Sequence, residues 1–353
     1  MSHLVLVTDA WHPQVNGVVR TLSKVAEGMR ERGHTVTFIT PQDYRSVPCP
    51  TYPEIRLALT HRRAMARRLA ALQPAYVHIA TEGPLGIMAR KTCIANNWPF
   101  TTSFHTKFPE YLRQRLPVPV SLTYAFLRRF HNKAQTCLAP TPSICAELAE
   151  RGFTTAKVWT RGVDRGLFHP RLHVDLGLPG PVFICVGRVA PEKNLEAFLS
   201  LDLPGTKLIV GDGPDLEKLK RLYPKAVYLG QRTGEALAEV YAGADVFVFP
   251  SRTDTFGLVL IEAIASGLPV AAFPVPGPLD VVRPTGAGVL SEDLREAALG
   301  ALALGRVDPE KCLANFTWKA CVDIFESILA PIDAGNPAMA AEIKSAKLAE
   351  SSV

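Results

Sequence analysis

Short apolar runs alternate with amphipathic stretches along most of the chain. LVLVTD (residues 4–9) is a continuous apolar run and predicts a buried strand. WHPQVNGVVR follows as a loop, and TLSKVAEGMRERG predicts a helix that ends at Gly33 in a C-cap position. HTVTFIT, AYVHIA and FTTSFHT predict further strands, the last two each after a helical stretch. The alternation restarts after residue 170. PVFICVG is an apolar run, and EKNLEAFLSL, LEKLKRLY, ALAEVYAGA and LVLIEAIASG predict helices interleaved with the strands KLIVG, AVYLG, VFVFPS and PVAAF. Strands alternating with helices imply a parallel sheet covered on both faces. The fold class expected is therefore α/β, with two doubly wound Rossmann-like domains over residues 1–170 and 171–332. The join falls near the Gly/Pro-rich GLFHPRLHVDLGLPGP, and a small, polar tail over 333–353 is expected to be flexible. Such domains are expected to face each other across a cleft, with chemistry in the loops after strands.

Composition narrows the class. At 353 residues, 47% hydrophobic and 20% charged, the chain can bury enough apolar surface to offset ordering entropy, which excludes a disordered protein. Seven scattered cysteines without a C-x-x-C pair argue against a disulfide scaffold or cysteine zinc site and point to a reducing compartment. No apolar run reaches about 18 residues, the length of a spanning helix, and MSHLVLVTDA lacks the basic start of a signal peptide. A cytoplasmic location is expected.

Charge changes the picture further. Residues 1–170 carry 22 Lys/Arg against 10 Asp/Glu, and residues 171–353 carry 17 against 23, so the net +6 divides into +12 and −6. HRRAMARRLAAL concentrates Arg62, Arg63, Arg67 and Arg68 on an amphipathic helix. YLRQRLPVPVSLTYAFLRRFHNK interleaves Arg113, Arg115, Arg128, Arg129 and Lys133 with Tyr111, Tyr124, Phe126 and Phe130. Cations mixed with bulky apolar side chains suit an anionic membrane surface; a solvated charged face beside a core stripe has the same pattern. No RNA-binding signature is present, and nucleic acid is not an expected partner.

Four segments carry candidate chemistry. In PSRTDTFGLVLIEAIASGLPVAA (250–272), Asp254 precedes a helix and Glu262 lies about two turns inside it. Between them the backbone N–H groups of Phe256, Gly257 and Leu258 start the helix, a place that attracts phosphate. Glu262 is placed to accept from a ribose diol; the alternatives are an N-cap role for Asp254 and a paired or surface role for Glu262. In GRVAPEKNLEAF, Arg188 and Lys193 occupy a loop and a first helical turn, where cations are disfavoured unless an anion faces them. A guanidinium fork and an ammonium together suit a diphosphate, the alternative being a salt bridge to Glu192, Glu196 or another carboxylate. In the N-terminal loop, Asn16-Gly17 has the composition of a tight turn. In SFHTKFPEY, His105 follows a strand and is a candidate acid, base or donor, and Glu82 in HIATEGPLG is similarly placed. There is no D-x-D, so the usual acidic metal clamp for nucleotide diphosphates is missing and no metal is expected. GDGPDL, beginning at Gly211, reads as a strand-to-helix turn near the ligand rather than a dinucleotide site, and no P-loop or G-x-S-x-G occurs.

With VTDAWHPQVNGVVRTL, SFHTKFPEY, APTPS, RGVDRGLFHP, GRVAPEKNLEAF, GDGP and SRTDTFGLVLIEAIASGLPVAA in that order, the chain resembles the retaining glycosyltransferases of family 4, which have the GT-B fold. The resemblance covers nearly the whole chain. TDTFGLVL and FHTKFPEY bring it nearest to the branch of glycosyl- and sulfoquinovosyl-diacylglycerol synthases and lipid α-mannosyltransferases. It implies that Arg188 and Lys193 bind the donor diphosphate and Glu262 the ribose. Asp254, one methylene shorter than the family's glutamate, would contact the donor sugar. Gly17 would represent the N-terminal loop, His105 would be the cleft histidine, and the last helix, about 318–330, would cross back to the N-terminal domain.

The expected reaction is transfer of a hexose, with retention, from a nucleotide diphosphate sugar to a hydroxyl acceptor. A UDP-sugar is favoured and GDP-mannose is the other candidate. No cofactor is expected beyond that donor. The acceptor is expected to be a lipid such as diacylglycerol at the inner face of the cell membrane, with Asn16, Glu82, Arg113, Arg115, Arg128 and Arg129 on the acceptor or membrane side. Competing readings are a mannosyltransferase acting on a soluble glycan or glycolipid, a UDP-sugar 2-epimerase, which needs no acceptor, and a non-catalytic nucleotide-sugar-binding protein.

Overall fold

The computed structural model describes residues 2–14, 16–49, 52–113 and 116–332. Arg115 and the tail expected over 333–353 lie outside the described residues. The chain divides into two compact units, Met1–Thr160 with Cys321–Val353, and Arg161–Ala320.

The first unit contains β1 (His3–Val7), α1 (Gly17–Glu31), β2 (Thr35–Ile39), β3 (Ser46–Cys49), β4 (Tyr52–Ala58), α2 (Arg62–Leu72), β5 (Tyr76–Ile79) and α3 (Pro84–Ala95). It continues with β6 (Thr101–Ser103), α4 (Phe108–Arg113), α5 (Val120–His131), β7 (Thr136–Ala139), α6 (Pro142–Glu150) and β8 (Ala156–Val158). Its six-stranded sheet runs β2-β1-β5-β6-β7-β8, parallel throughout, and β3 pairs with β4 as a separate antiparallel hairpin. The connections from β2 through β8 all step the same way across the sheet. Right-handed crossovers therefore put α2, α3, α5 and α6 on one face and α1 on the other.

The second unit contains β9 (Val182–Val186), α7 (Leu195–Leu199), β10 (Thr206–Val210), α8 (Leu216–Leu222), β11 (Val227–Tyr228), α9 (Gly234–Ala242), β12 (Val246–Phe249) and α10 (Leu258–Ala265). It continues with β13 (Val270–Ala272), α11 (Pro278–Val281), β14 (Gly288–Leu290), α12 (Leu294–Leu304), α13 (Pro309–Cys312) and the start of α14 (Trp318–Ser327). Its parallel sheet runs β11-β10-β9-β12-β13-β14. VFICV and VFVF are buried at every position, as strands covered on both faces must be.

The predicted first helix begins at Gly17 rather than Thr21, because the Asn16 side chain caps it. It ends as expected. Gly33, at φ 84°, donates to Arg30 O while His34 donates to Met29 O, a Schellman closure. The boundary falls at 160/161, ten residues before the expected 170. The intervening loop packs into the second unit, where Phe168 is buried with its ring on Tyr241 and Val163 N–H donates to Phe316 O. From Cys321 onward α14 packs against the first unit: the Trp159 indole donates to Cys321 O, and Phe325 packs at a tilt on Trp159 and edge-on to His78. His78 is buried between Thr101 and Ser103 hydroxyls, and burial pushes its imidazole down to about 3, so it is neutral.

Candidate active site

In the second sheet the chain leaves β9 towards β10 on one side and returns to β12 on the other. Loops that depart from such a switch point in opposite directions leave a crevice at the carboxyl ends of the strands. The loop after β10 lies against the loop after β9, with Val189 N–H donating to Asp212 O and Asp215 N–H to Val189 O. Only glycine permits this approach. Gly211 sits at φ 149°, and a Cβ there would lie 1.8 Å from Gly187 O.

The loops after β9 and β12 are tied together as well. The Ser251 and Thr253 hydroxyls each donate to Glu192 O at 3.3 Å, and the Asn194 amide donates to Pro250 O at 3.0 Å. Above these ties the Lys193 ammonium lies 2.6 and 2.8 Å from the two carboxylate oxygens of Asp254. Arg188 Nη1 lies 3.8 Å from Glu192 Oε1, with a third of the Arg188 side chain exposed. The carboxylate partners anticipated for the two cations are thus present, and Lys193 takes Asp254 rather than Glu192 or Glu196.

Two local expectations are corrected here, and one of the alternatives falls away. Lys193 ends a 3-10 turn, Pro191–Lys193, and does not lie in the first turn of α7. Asp254 is not an N-cap, because Gly257, at φ 83°, holds that position. Glu262 stands one turn into α10, not two, and is 2% exposed, with the Tyr241 hydroxyl donating to its Oε2 at 3.3 Å. Phe256 is buried, and Gly257 and Leu258 are half-buried at the start of the helix. Arg188, Lys193, Gly211, Asp254, Phe256, Gly257, Leu258 and Glu262 all lie on the second unit, in the loops after β9, β10 and β12 and in α10.

The corresponding switch point of the first sheet lies between β1 and β5. Asp9, which the sequence reading passed over, closes it. Its carboxylate accepts from Leu85 N–H at 2.8 Å, Gly86 N–H at 3.2 Å and the Thr81 hydroxyl at 2.9 Å, so it caps α3 across the loop. Burial raises this carboxyl to about 6, and the donated hydrogen bonds limit the rise. Asn16-Gly17 is not a tight turn. Asn16 is extended, its Oδ1 accepts from Val18 and Val19 N–H at 3.0 Å, and Gly17 is the first, exposed residue of α1.

Glu82 accepts from buried His131 at 3.0 Å. Burial alone would depress this imidazole, but the Cys137 sulfur and the Glu82 carboxylate hold it up at about 10. His105 is half-buried after β6 with its ring edge-on to Trp159 at 5.9 Å. Asn16, Glu82 and His105 thus share the carboxyl edge of the first sheet. Arg113 is exposed in the last turn of α4, and Arg128 and Arg129 are exposed in the last turn of α5, which leads into the amino end of β7. The two α5 arginines therefore lie away from the carboxyl edge. The sequence carried no local sign of Tyr241, which reaches Glu262 only through tertiary packing; the acid closing VTD was a sign of Asp9.

The family profile described as Glycosyltransferase Family 4 matches residues 15–167, and that described as Glycosyl transferases group 1 matches residues 180–305. A GDP-mannose-dependent alpha-mannosyltransferase of Mycobacterium tuberculosis is 32% identical, over 81% of this chain and 83% of that one. The chain belongs to glycosyltransferase family 4. The sulfoquinovosyl transferase SQD2 of Arabidopsis thaliana is 32% identical over 76% of this chain and 58% of that protein. An alpha-monoglucosyldiacylglycerol synthase of Streptococcus pneumoniae is 25% identical over 75% and 70%. These relatives match the branch that the sequence motifs indicated. Among solved structures, sucrose-phosphate synthase from Thermosynechococcus elongatus superposes with a TM-score of 0.72 at 21% identity, covering 93% of this chain and 98% of that one, which shows the GT-B fold. The protein is a hexosyltransferase that uses a nucleotide sugar.

Proposed function

We propose that the enzyme transfers a hexose, with retention and without a metal ion, from a nucleotide diphosphate sugar to a hydroxyl of a membrane lipid. The observation that carries the donor half is the Lys193–Asp254 pair, held 2.6 Å apart at the mouth of the β9/β12 crevice just ahead of the glycine-led start of α10. An incoming diphosphate gains Arg188, Lys193 and the N–H groups of Phe256, Gly257 and Leu258. Preorganised cations and dipoles then stabilise the charge that develops on the leaving group. Asp254, displaced from Lys193, turns to the sugar hydroxyls, and Glu262 takes the ribose. His105 hydrogen-bonds the transferring sugar. The mannosyltransferase relative makes GDP-mannose the first donor to test, with UDP-sugars as the second arm.

The acceptor half rests on the covering layer of the first unit. Helices α2, α3 and α5 contain no acidic residue. Arg62, Arg63, Arg67, Arg68, Lys91, Arg128 and Arg129 are exposed on them. Arg90 of α3 donates to Phe130 O and Arg129 O at the end of α5, which joins these helices into one layer. Leu122 and Phe126 of α5 are 64% and 46% exposed, and Phe108 of α4 47%. A cation near an anionic leaflet contributes about 1 kcal/mol, and exposed apolar side chains add insertion. Among the described residues no helix is long and apolar enough to cross a membrane, so docking of this kind would bring the enzyme to its substrate.

The test is incubation with labelled GDP- and UDP-sugars and a total lipid extract, with vesicle sedimentation in parallel. Label in a lipid, and binding to anionic but not neutral vesicles, are expected. Donor isomerised or released without any acceptor would overturn transfer. Equal absence of binding to both vesicle types would overturn the lipid acceptor in favour of a soluble one.

A further inference from the structure

His105 stands between two anchored residues. On one side Phe104 N–H donates to Leu138 O of β7 at 2.8 Å, and the buried Phe104 ring packs edge-on to Phe153. On the other side Lys107 leads into α4, its carbonyl accepting from Glu110 N–H at 3.1 Å and Tyr111 N–H at 3.2 Å. Only Thr106 separates His105 from Lys107. The place of the His105 ring is therefore set by how Lys107 is held as well as by β6.

Lys107 is held by a carboxylate on another helix. Its ammonium donates to Glu147 Oε2 of α6 at 2.6 Å, and the two side chains are 12% and 23% exposed. A pair shielded to this degree keeps more of its attraction than one on the open surface. The second oxygen of Glu147 serves other partners. Arg151 donates to Oε1 at 3.1 and 3.3 Å, and the Tyr124 hydroxyl lies 3.4 Å from it while donating to Glu110 Oε1 at 2.9 Å. The Arg151 guanidinium covers the Tyr124 ring at 3.9 Å. Burial would raise the Glu147 carboxyl, but the hydrogen bonds from Lys107 and Arg151 hold it below its ordinary value, so it is charged. The His105 loop, α5 and α6 thus meet at one carboxylate.

Arg151 and Tyr124 join α5 to α6 without Lys107. The lysine adds a tie of a different kind, from α6 to the loop that carries His105. A side chain that meets a transferring sugar needs such a tie, because a misplacement of about 1 Å costs on the order of 10²-fold in rate. We propose that Lys107 is a positioning residue of the transfer: seated on Glu147, it fixes the loop from which His105 meets the donor sugar. This deepens the reading above and rests on it for the role of His105.

The experiment compares Lys107→Met, Lys107→Arg and Glu147→Gln in the full chain, with Lys107→Met also made in a His105→Gln background. Transfer is followed with labelled GDP-mannose and UDP-glucose over a total lipid extract, and nucleotide affinity by calorimetry with GDP and UDP. The His105 ring is followed by imidazole nitrogen NMR, its signal identified by its loss in His105→Gln. Lys107→Met is expected to lower kcat about tenfold or more, while donor KM and nucleotide affinity stay unchanged. It is also expected to move the His105 signal and leave that of His3, at the amino end of β1, in place. Lys107→Arg is expected to recover most of the rate, and Glu147→Gln to repeat the pattern of Lys107→Met. In the His105→Gln background Lys107→Met is expected to cost less than about twofold, because residues that act through one another are not additive. Wild-type kcat in both Lys107→Met and Glu147→Gln, an equal loss with and without the His105 ring, or a His105 signal that neither variant moves would overturn the proposal. His105→Gln with wild-type kcat would overturn the role given to His105, and the ring signal would then decide alone whether Lys107 positions it.

Discussion

The two sheets have the same kind of strand order, and each has a switch point from which two loops diverge. In the first unit the helix that starts there, α3, is already occupied: the Asp9 carboxylate accepts from Leu85 and Gly86 N–H. In the second unit α10 starts at Gly257, which has no side chain to cap it, and the carboxylate of the preceding loop, Asp254, is bound to Lys193. One fold therefore presents a helix start closed by a carboxylate from a distant loop and another led by glycine, with a lysine–aspartate pair just ahead of it in the chain. The difference teaches that a Rossmann-like switch point is not in itself an anion site. What distinguishes the two is where the local carboxylate goes, Asp9 to backbone N–H groups and Asp254 to a lysine.

The comparison is broken most severely by removing the cations. Arg188→Ala with Lys193→Ala is expected to lower the transfer rate by on the order of 10²–10³-fold, with the circular dichroism spectrum unchanged. A double variant that transfers near the wild-type rate would reject this placement of the donor.

The next largest effect lies at the closed switch point. Asp9→Ala leaves buried N–H donors unsatisfied and is expected to cost about 2–3 kcal/mol in urea denaturation, with nucleotide affinity unchanged. The same carboxyl supplies a pH signature. Because its folded value of about 6 lies above the ordinary 3.8, the native state binds more protons than the unfolded chain between those values. Its contribution to stability therefore falls as pH rises through that window and is level above it. Asp9→Asn should remove that slope.

Glu82→Gln tests the other carboxylate of the first switch point. With His131 held up at about 10 against an ordinary 6.5 by Cys137 first and Glu82 second, the charged imidazole's contacts stabilise fully below about 6.5 and their contribution fades as pH rises through about 10, Glu82 supplying part of it. The variant is expected to lose about 1.5–2 kcal/mol at pH 6.5, a gap that closes towards pH 10 when both proteins are denatured in parallel. Asp254→Asn should have the smallest effect on stability, under about 1 kcal/mol by thermal melts, because its ion pair with Lys193 is partly exposed. A larger loss would mean that the pair is structural rather than a holding place for ligand-binding groups.

Much of the architecture was legible in the chain. VFICV and VFVF read as buried parallel strands because a short unbroken apolar run between helical stretches suits a strand covered on both faces, and Gly33 read as a helix end because only glycine takes that left-handed turn cheaply. The β3–β4 hairpin was not legible. Its apolar residues are interrupted by Pro48 and Pro53, and it pairs only with itself. The Arg188, Lys193, Asp254 and Glu262 segments were legible in their residue types and order but not in their pairings.

Local periodicity and residue chemistry determined that this protein is two Rossmann-like units with cations and a glycine-led helix after particular strands, since both are short-range properties of the chain. Tertiary structure alone decided which carboxylate meets which partner. Asp9 reaches a helix start that lies 76 positions away in sequence, and Lys193 reaches Asp254 across 61. Such contacts are set by strand order and crossover direction, which bring distant loops to one sheet edge and leave no mark on the neighbours of either residue.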